Sequence, residues 1–280
     1  MYKLSVKNAA GDTLHLSQNK NYAVTGIEGL TPVAATINTS NAGMLDGAVY
    51  NSARLSYRNI VITASIVQDV ESARIKLYDY FQTKQFCRLF FENDSRNVYI
   101  DGYVETFECD LFTLGQAAQI SIICPDPYFK DTRTKTDTGS KVVSSFEFPT
   151  EFNNVEFSRV ISDADITVSN NGDISAGFNI EIHFIGNVKN PVLYSATTGG
   201  YFGLNEKFVA GDRVVINTRN GKKSVKLIRF GVEINQFNNI RIGSTWLQLT
   251  RGVNTFTFNA DSGVNNMQIS ITHTDLYAGV

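Results

Sequence analysis

The chain has 280 residues, 42% of them apolar and 19% charged, which is enough apolar side chain for buried cores and too little charge for disorder. At 31.0 kDa it is long for one ordinary domain and suits two. A formal net charge of −2, from 25 basic and 27 acidic side chains, excludes a dedicated binder of the phosphate backbone, and a mean hydropathy of −0.12 with no long apolar run excludes an α-helical membrane span.

The N-terminal segment Met1-Tyr2-Lys3-Leu4-Ser5-Val6-Lys7 lacks the apolar stretch and small-residue cleavage site of a secretory signal, so synthesis in a cytoplasm is expected. Leu4 and Val6, then Leu14 and Leu16, alternate with polar neighbours across a turn at residues 8–12, which predicts a first strand pair. Val24 and Ile27 follow, then the punctuation Gly29-Leu30-Thr31-Pro32. Residues 38–51, rich in Asn, Gly and Ser, are expected to be a loop, and a strand is expected over 58–66. One helix is predicted over 69–83. Asp69 has the chemistry of an N-cap, Val70, Ala73, Leu77, Tyr78 and Phe81 form the inward stripe, and Arg74, Lys76 and Asp79 face out. Strands are expected again at 86–92, 98–104 and 119–124, the last stopped by Pro125 and Pro127, which remove ladder donors.

Residues 131–140 contain no aliphatic or aromatic side chain and read as a linker. The expected division is therefore 1–130 as one domain, 131–140 as linker and 141–280 as a second domain, both halves close to electrical neutrality. In the second half Phe178, Ile180, Ile182 and Phe184 alternate strictly with polar residues, and place His183 on a wet face. Similar alternation occurs at 214–216, 225–227, 247–249, 256–258 and 267–271, separated by Gly-containing turns, which predicts a β-sandwich without a long helix. The fold class expected is thus mainly β.

No catalytic or metal motif can be written. Cys87, Cys109 and Cys124 are widely spaced, sit in β-rich runs and read as buried reduced thiols. His15, His183 and His273 are scattered and read as surface or strand-end residues. The pairs Asp163 with Asp165 and Glu105 with Glu108 are the only candidates for two-carboxylate glycoside chemistry, and loop-borne acids are more simply solvated. The basic run from Arg219 to Arg229 offers a polyanion contact or a solvated hairpin. Trp246 offers a stacking platform for a sugar or a place at the rim of a sandwich core. No catalytic residue, cofactor or metal is expected.

Several segments carry a more specific signal in their order and spacing. They are Gly29-Leu30-Thr31-Pro32, Asp46-Gly47-Ala48-Val49-Tyr50, Arg54-Leu55 followed by Arg58-Asn59-Ile60-Val61-Ile62, Leu77-Tyr78-Asp79-Tyr80-Phe81, Tyr99-Ile100-Asp101-Gly102-Tyr103-Val104 and Ile122-Ile123-Cys124-Pro125-Asp126-Pro127-Tyr128-Phe129. With them the first 130 residues resemble the distal tail proteins of long-tailed bacteriophages and related prophages. Gly211 to Thr218, Gly221 to Val225, Ser244-Thr245-Trp246 and Gly252-Val253-Asn254 resemble the terminal domain of the same family, and residues 131–175 resemble it least.

The resemblance implies a structural baseplate protein without enzymatic activity. Its N-terminal domain would be a β-barrel-like fold with one helix that builds a homohexameric ring. Its C-terminal domain would be a galectin-like β-sandwich that carries receptor-binding or side-fibre proteins. The implied partners are further copies of the chain, the tail tube protein and the tail-associated hub protein. DNA would pass through the central channel without specific binding, no membrane would be involved, and the place of action would be the virion tail. Subunit contacts are expected around Asp46, Arg54 and Arg58, because a polar loop followed by arginines can reach a neighbour and Arg is favoured at interfaces. The alternative function is a carbohydrate-binding adhesion subunit whose sandwich touches the host cell wall.

Overall fold

The computed structural model describes residues 2–41, 43, 46–113, 115–140, 142–144, 158–160 and 165–280. Its contacts divide into two compact units, Met1–Thr132 with Leu276–Val280, and Arg133–Asp275. The last five residues thus rejoin the first unit, a return that no local pattern predicts.

In the first unit β1 (Lys3–Asn8), β2 (Thr13–His15) and β3 (Tyr22–Glu28) precede a hairpin of β4 (Ala35–Asn41) and β5 (Ala48–Leu55). Strand β6 (Arg58–Ile66), helix α1 (Val70–Tyr80), β7 (Phe86–Glu92), β8 (Asn97–Cys109), β9 (Ala117–Cys124) and β10 (Phe129–Asp131) follow. The main sheet runs β2-β1-β7-β8-β9-β6-β3, and β10 bridges β8 to the final strand, Leu276–Tyr277. Its two ends are not hydrogen-bonded to each other, and α1 packs against β1 and β6.

Period-2 alternation explains the strands. Strand β6 buries Arg58, Ile60, Ile62, Ala64 and Ile66 while the residues between face out, and β9 buries Ala118, Ile120, Ile122 and Cys124. Helix α1 adds Ala73 and Leu77 to this core, with Phe81 just past its end. Tyr78 leaves the expected inward stripe and stacks edge-on to Phe107 at 4.9 Å. Arg74, expected outward, lies along the Tyr78 ring and pairs with Glu71. Asp69 does not cap through its carboxylate. It adopts the left-handed conformation, φ 50°, which turns its side chain away from the first-turn N–H groups, and its carbonyl accepts from Ala73 N at 2.8 Å.

The hairpin and the linker also depart from expectation. Residues 38–51, expected as a loop, belong mostly to the β4–β5 hairpin, whose exposed strands lack the buried face that alternation detects. Residues 135–140, expected as linker, form strand β11 (Lys135–Ser140) in the second unit. That edge strand alternates half-buried and exposed residues without apolar side chains. Gly139 is required there, because a Cβ would stand 2.3 Å from the Ile166 side chain.

The second unit continues with β12 (Val142–Ser144) and β13 (Ser158–Val160), which pair with each other, then β14 (Ile166–Asn170), β15 (Asn179–Phe184), β16 (Val188–Lys189), β17 (Val192–Ser195) and β18 (Tyr201–Gly203). After these come β19 (Lys207–Phe208), β20 (Arg213–Asn217), β21 (Ser224–Arg229), β22 (Val232–Asn235), β23 (Gly252–Asn259) and β24 (Met267–His273). A six-stranded sheet, β11-β24-β15-β20-β21-β22, and a four-stranded sheet, β14-β23-β17-β18, enclose one core. Phe178 meets Phe256 at 5.4 Å between ring centroids, and Phe184 stacks on Phe208 at 4.4 Å. The fold is therefore mainly β, with a sandwich in the second unit, as the sequence predicts. Residues 247–249, expected as a strand, contribute only a bridge between Leu249 and Ala176.

Among the described residues no helix is long and apolar enough to cross a membrane, and no cluster of His, Cys, Asp or Glu is arranged to hold a metal ion.

Candidate interaction surfaces

The three residues nominated for subunit contacts separate into two environments. Asp46 and Arg54 are exposed, at the tip and on one strand of the β4–β5 hairpin. Arg58 is 2% exposed and unavailable to a neighbour. Its Nε donates to Pro127 O at 2.8 Å, its Nη1 to Thr31 O at 2.6 Å and to Gly29 O, and its Nη2 to Ala278 O at 2.6 Å. The guanidinium also covers the Phe129 ring, 4.6 Å from the centroid, and burial pulls its pKa down. Four carbonyls take four of the five N–H donors of this planar fork, which has no carboxylate partner among the described residues. The expectation of an interface role for Arg58 is therefore corrected, because its head group is buried and hydrogen-bonded within its own unit.

This clamp explains why distant segments are specific together. Gly29-Leu30-Thr31-Pro32, Arg58 and the run from Pro125 to Phe129 converge on one guanidinium. Gly29 has φ +82°, and a Cβ there would lie 2.0 Å from Asn59 O. The C-terminal residues complete the arrangement, with Val280 N donating to Leu30 O at 3.2 Å and Arg96 donating to Gly279 O.

The hairpin has the opposite character. Every residue of β4 and β5 is exposed, and the two strands pair only with each other. Register places Ala35 opposite Leu55 and Ile37 opposite Ala53, so these four share one face. Thr36, Asn38, Ser52 and Arg54 share the other, where Asn38 Nδ2 donates to Ser52 Oγ at 2.9 Å. An irregularity between Asn38 and Thr39 lets Tyr50 pair with Thr39 and so rejoin the apolar face. Ile37 is 54% and Tyr50 62% exposed. A two-stranded hairpin with an uncovered apolar face is marginal in water by itself.

In the second unit two members of the basic run, Lys226 and Arg229, are ion-paired. Arg229 grips the buried Asp212 through two hydrogen bonds, 2.8 and 2.5 Å, and holds its carboxyl below the usual carboxylate range. Lys226 pairs with Glu233 at 2.8 Å. Trp246 is half-buried, 5.1 Å from Phe202 and 5.8 Å from Phe237 between ring centroids, with Lys223 Nζ 5.4 Å from its centre. It occupies the rim position that its sequence context allows.

The remaining candidates for chemistry resolve simply. Cys87 and Cys124 are fully buried, and burial pushes both thiols up to about 12, while Cys109 is half-buried. His15 and His183 are exposed, as expected. His273 is not a surface residue. It is fully buried, its Nε2 lying 3.3 Å from Asp275 Oδ1, because strand β24 turns it inward beside the Lys135–Asp275 pair. Glu105 accepts from Ser121 Oγ at 2.8 Å on an exposed strand face, Asp165 accepts from Thr257 Oγ1, and Asp163 lies outside the described residues.

A fold of two β units, one with a self-paired arm and the other a sandwich, can now be set beside known proteins. Residues 171–277 match the family model of the siphovirus-type tail component, C-terminal domain. No curated protein matches the chain. Among solved structures the chain is similar to SPP1 Dit (gp 19.1), described as a paradigm of the hub adsorption apparatus in phages infecting Gram-positive hosts. The TM-score is 0.67 and the identity 14%, over 98% of both chains. It is also similar to chains of the phage p2 baseplate in its activated conformation, with strontium (TM-score 0.50, 11% identity, 97% of this chain and 98% of that one) and with calcium (0.49, 10%, the same shares). Residues 171–277, most of the second unit, are thus similar to a siphovirus-type tail component domain. The chain as a whole has the fold of SPP1 Dit, and the sequence likeness to a phage tail component is carried by residues 171–277.

Proposed function

We propose that the chain is a structural protein of a phage tail tip, without enzymatic activity, whose copies close into a six-membered ring. The ring joins the tail tube to the tail-associated hub protein, and DNA passes through it without specific contacts. The first unit builds the ring, and the second docks receptor-binding or side-fibre proteins. The site of action is the virion tail, after synthesis in the bacterial host cytoplasm.

The observation that carries this reading is the β4–β5 arm. Its apolar face of Ala35, Ile37, Tyr50, Ala53 and Leu55 finds no cover in its own unit, and a ring subunit needs a projecting surface that meets a different surface on the next copy. Asp46 and Arg54 lie on the same arm and would contact that neighbour at its polar edge. The family-model match of the second unit and the fold likeness to SPP1 Dit support the tail assignment.

Mass photometry of the purified chain, alone and with the adjacent tail proteins, tests the reading. A species of about six subunits in either sample is expected. A chain that stays monomeric in both samples overturns it.

A further inference from the structure

Strand β22 is the outermost strand of the six-stranded sheet, and its far side meets no other strand among the described residues. The β21–β22 hairpin turns through Phe230 and Gly231, which have φ of 51° and 78°. A two-residue turn of this hand makes the flanking pair, Arg229 and Val232, mutually hydrogen-bonded. Alternation then directs the backbone groups of Val232 and Ile234 toward β21 and those of Glu233 and Asn235 outward. Gln236 N, donating to Val225 O at 2.9 Å, keeps the same phase. The edge therefore presents two N–H and two C=O groups to solvent.

Its side chains are as open as its backbone. Phe230 is 94%, Val232 60% and Ile234 41% exposed. Ile234 pairs with the buried Leu227, so Val232 and Ile234 lie on the inward face of the sheet, where the smaller sheet does not cover them. A bulky residue in the left-handed region of an exposed turn carries backbone strain that nothing in the sandwich core requires. The strand is short and carries one charge, Glu233, but holds no proline or lysine to block pairing along its outer edge. Beside Asn235 opens a cavity of about 270 Å³, lined by Lys223, Lys226, Glu233, Ile234 and Phe237. Lys226 is matched by Glu233, whereas Lys223 forms no ion pair among the described residues.

We propose that β22 is a docking edge for an extended, acid-tipped segment of another protein. The segment adds to the sheet as a further strand, sets alternate apolar side chains against Val232 and Ile234, and delivers a carboxylate to Lys223. This rests on the docking role given to the second unit and not on ring assembly, so its failure leaves the ring, which is read by mass, untouched.

The test uses the full chain and fluorescein-labelled peptides that alternate valine and threonine and end in an aspartate, placed at one terminus or the other. Saturable anisotropy is expected for at least one of the two. Binding should vanish when a central proline interrupts the peptide and weaken about tenfold when lysine replaces the aspartate. Glu233→Pro removes an outward N–H and leaves the ladder to β21 intact, and Val232→Lys puts charge on the exposed apolar face. Both variants should keep the parent's circular dichroism and lose binding by about tenfold or more. Peptides that bind no better than the proline-interrupted control overturn the proposal, as does parental affinity in either folded variant. If Glu233→Pro does not fold, Val232→Lys decides, because its side chain stands in solvent.

Discussion

The guanidinium of Arg58 donates to the carbonyl of Ala278, 220 residues further along the chain, at 2.6 Å. The same head group holds Gly29, Thr31 and Pro127, so one side chain ties the start, middle and end of the chain into the first unit. A buried cation of this kind is stable only while all its carbonyl partners stay in place.

Arg58→Ala should destabilise the first unit by about 3 kcal/mol, since it empties a buried site and takes the partner from four part-buried carbonyls. Arg58→Lys should recover little, because an ammonium cannot reproduce the planar fork. Deleting residues 278–280 should cost less in the Arg58→Ala background than in the parent. Urea unfolding of the four proteins measures this, and additive losses would separate the tail from the clamp.

The arm predicts a different pattern. Ile37→Asp combined with Tyr50→Asp alters only exposed positions, so unfolding stability should stay within about 0.5 kcal/mol of the parent. Ring assembly by mass photometry should nevertheless be lost. Arg54→Ala should weaken assembly more at low salt than at high salt, as expected for a charge at a solvated edge. A double-aspartate variant that still forms rings would remove the arm from the interface.

Asp212 and Arg229 define an acid response. Hydrogen bonds from Arg229 hold the Asp212 carboxyl below its usual range, so the pair's stabilisation is fully present above the ordinary carboxylate value. It is lost as pH falls through the depressed folded value. Asp212→Asn should therefore be less stable than the parent at neutral pH and show a flatter loss of stability on acidification. Thermal unfolding across a pH series reads both effects.

Thiol reactivity should follow burial. With Cys87 and Cys124 pushed up to about 12, a thiol reagent at mildly alkaline pH should label Cys109 first and leave the other two silent until the chain is unfolded. Peptide mapping after brief labelling identifies the site. Rapid labelling of Cys87 in the native protein would contradict its buried placement.

How much of this was legible beforehand differs by element. Strands such as β6, β7, β15 and β24 were readable because each buries one face, and burial writes its period into the order of apolar residues. Helix α1 was readable for the same reason at its own period, although its cap was not, since the left-handed conformation of Asp69 leaves its side chain without a capping bond. The β4–β5 arm and strand β11 were illegible, because the arm leaves its apolar residues uncovered and interrupts their alternation at an irregularity, and β11 is an edge strand without apolar side chains.

The sequence by itself determined the mainly β class, the reduced thiols and the resemblance to phage tail components, each of which depends on residue type, period or short ordered segments. Only the tertiary structure decided that Arg58 is an internal clamp while Asp46 and Arg54 stand on an open arm, that His273 is buried, and that the last five residues close the first unit. The physical reason is distance along the chain. A charged side chain looks the same in sequence whether it faces water or four carbonyls, and those carbonyls arrive from segments far from it.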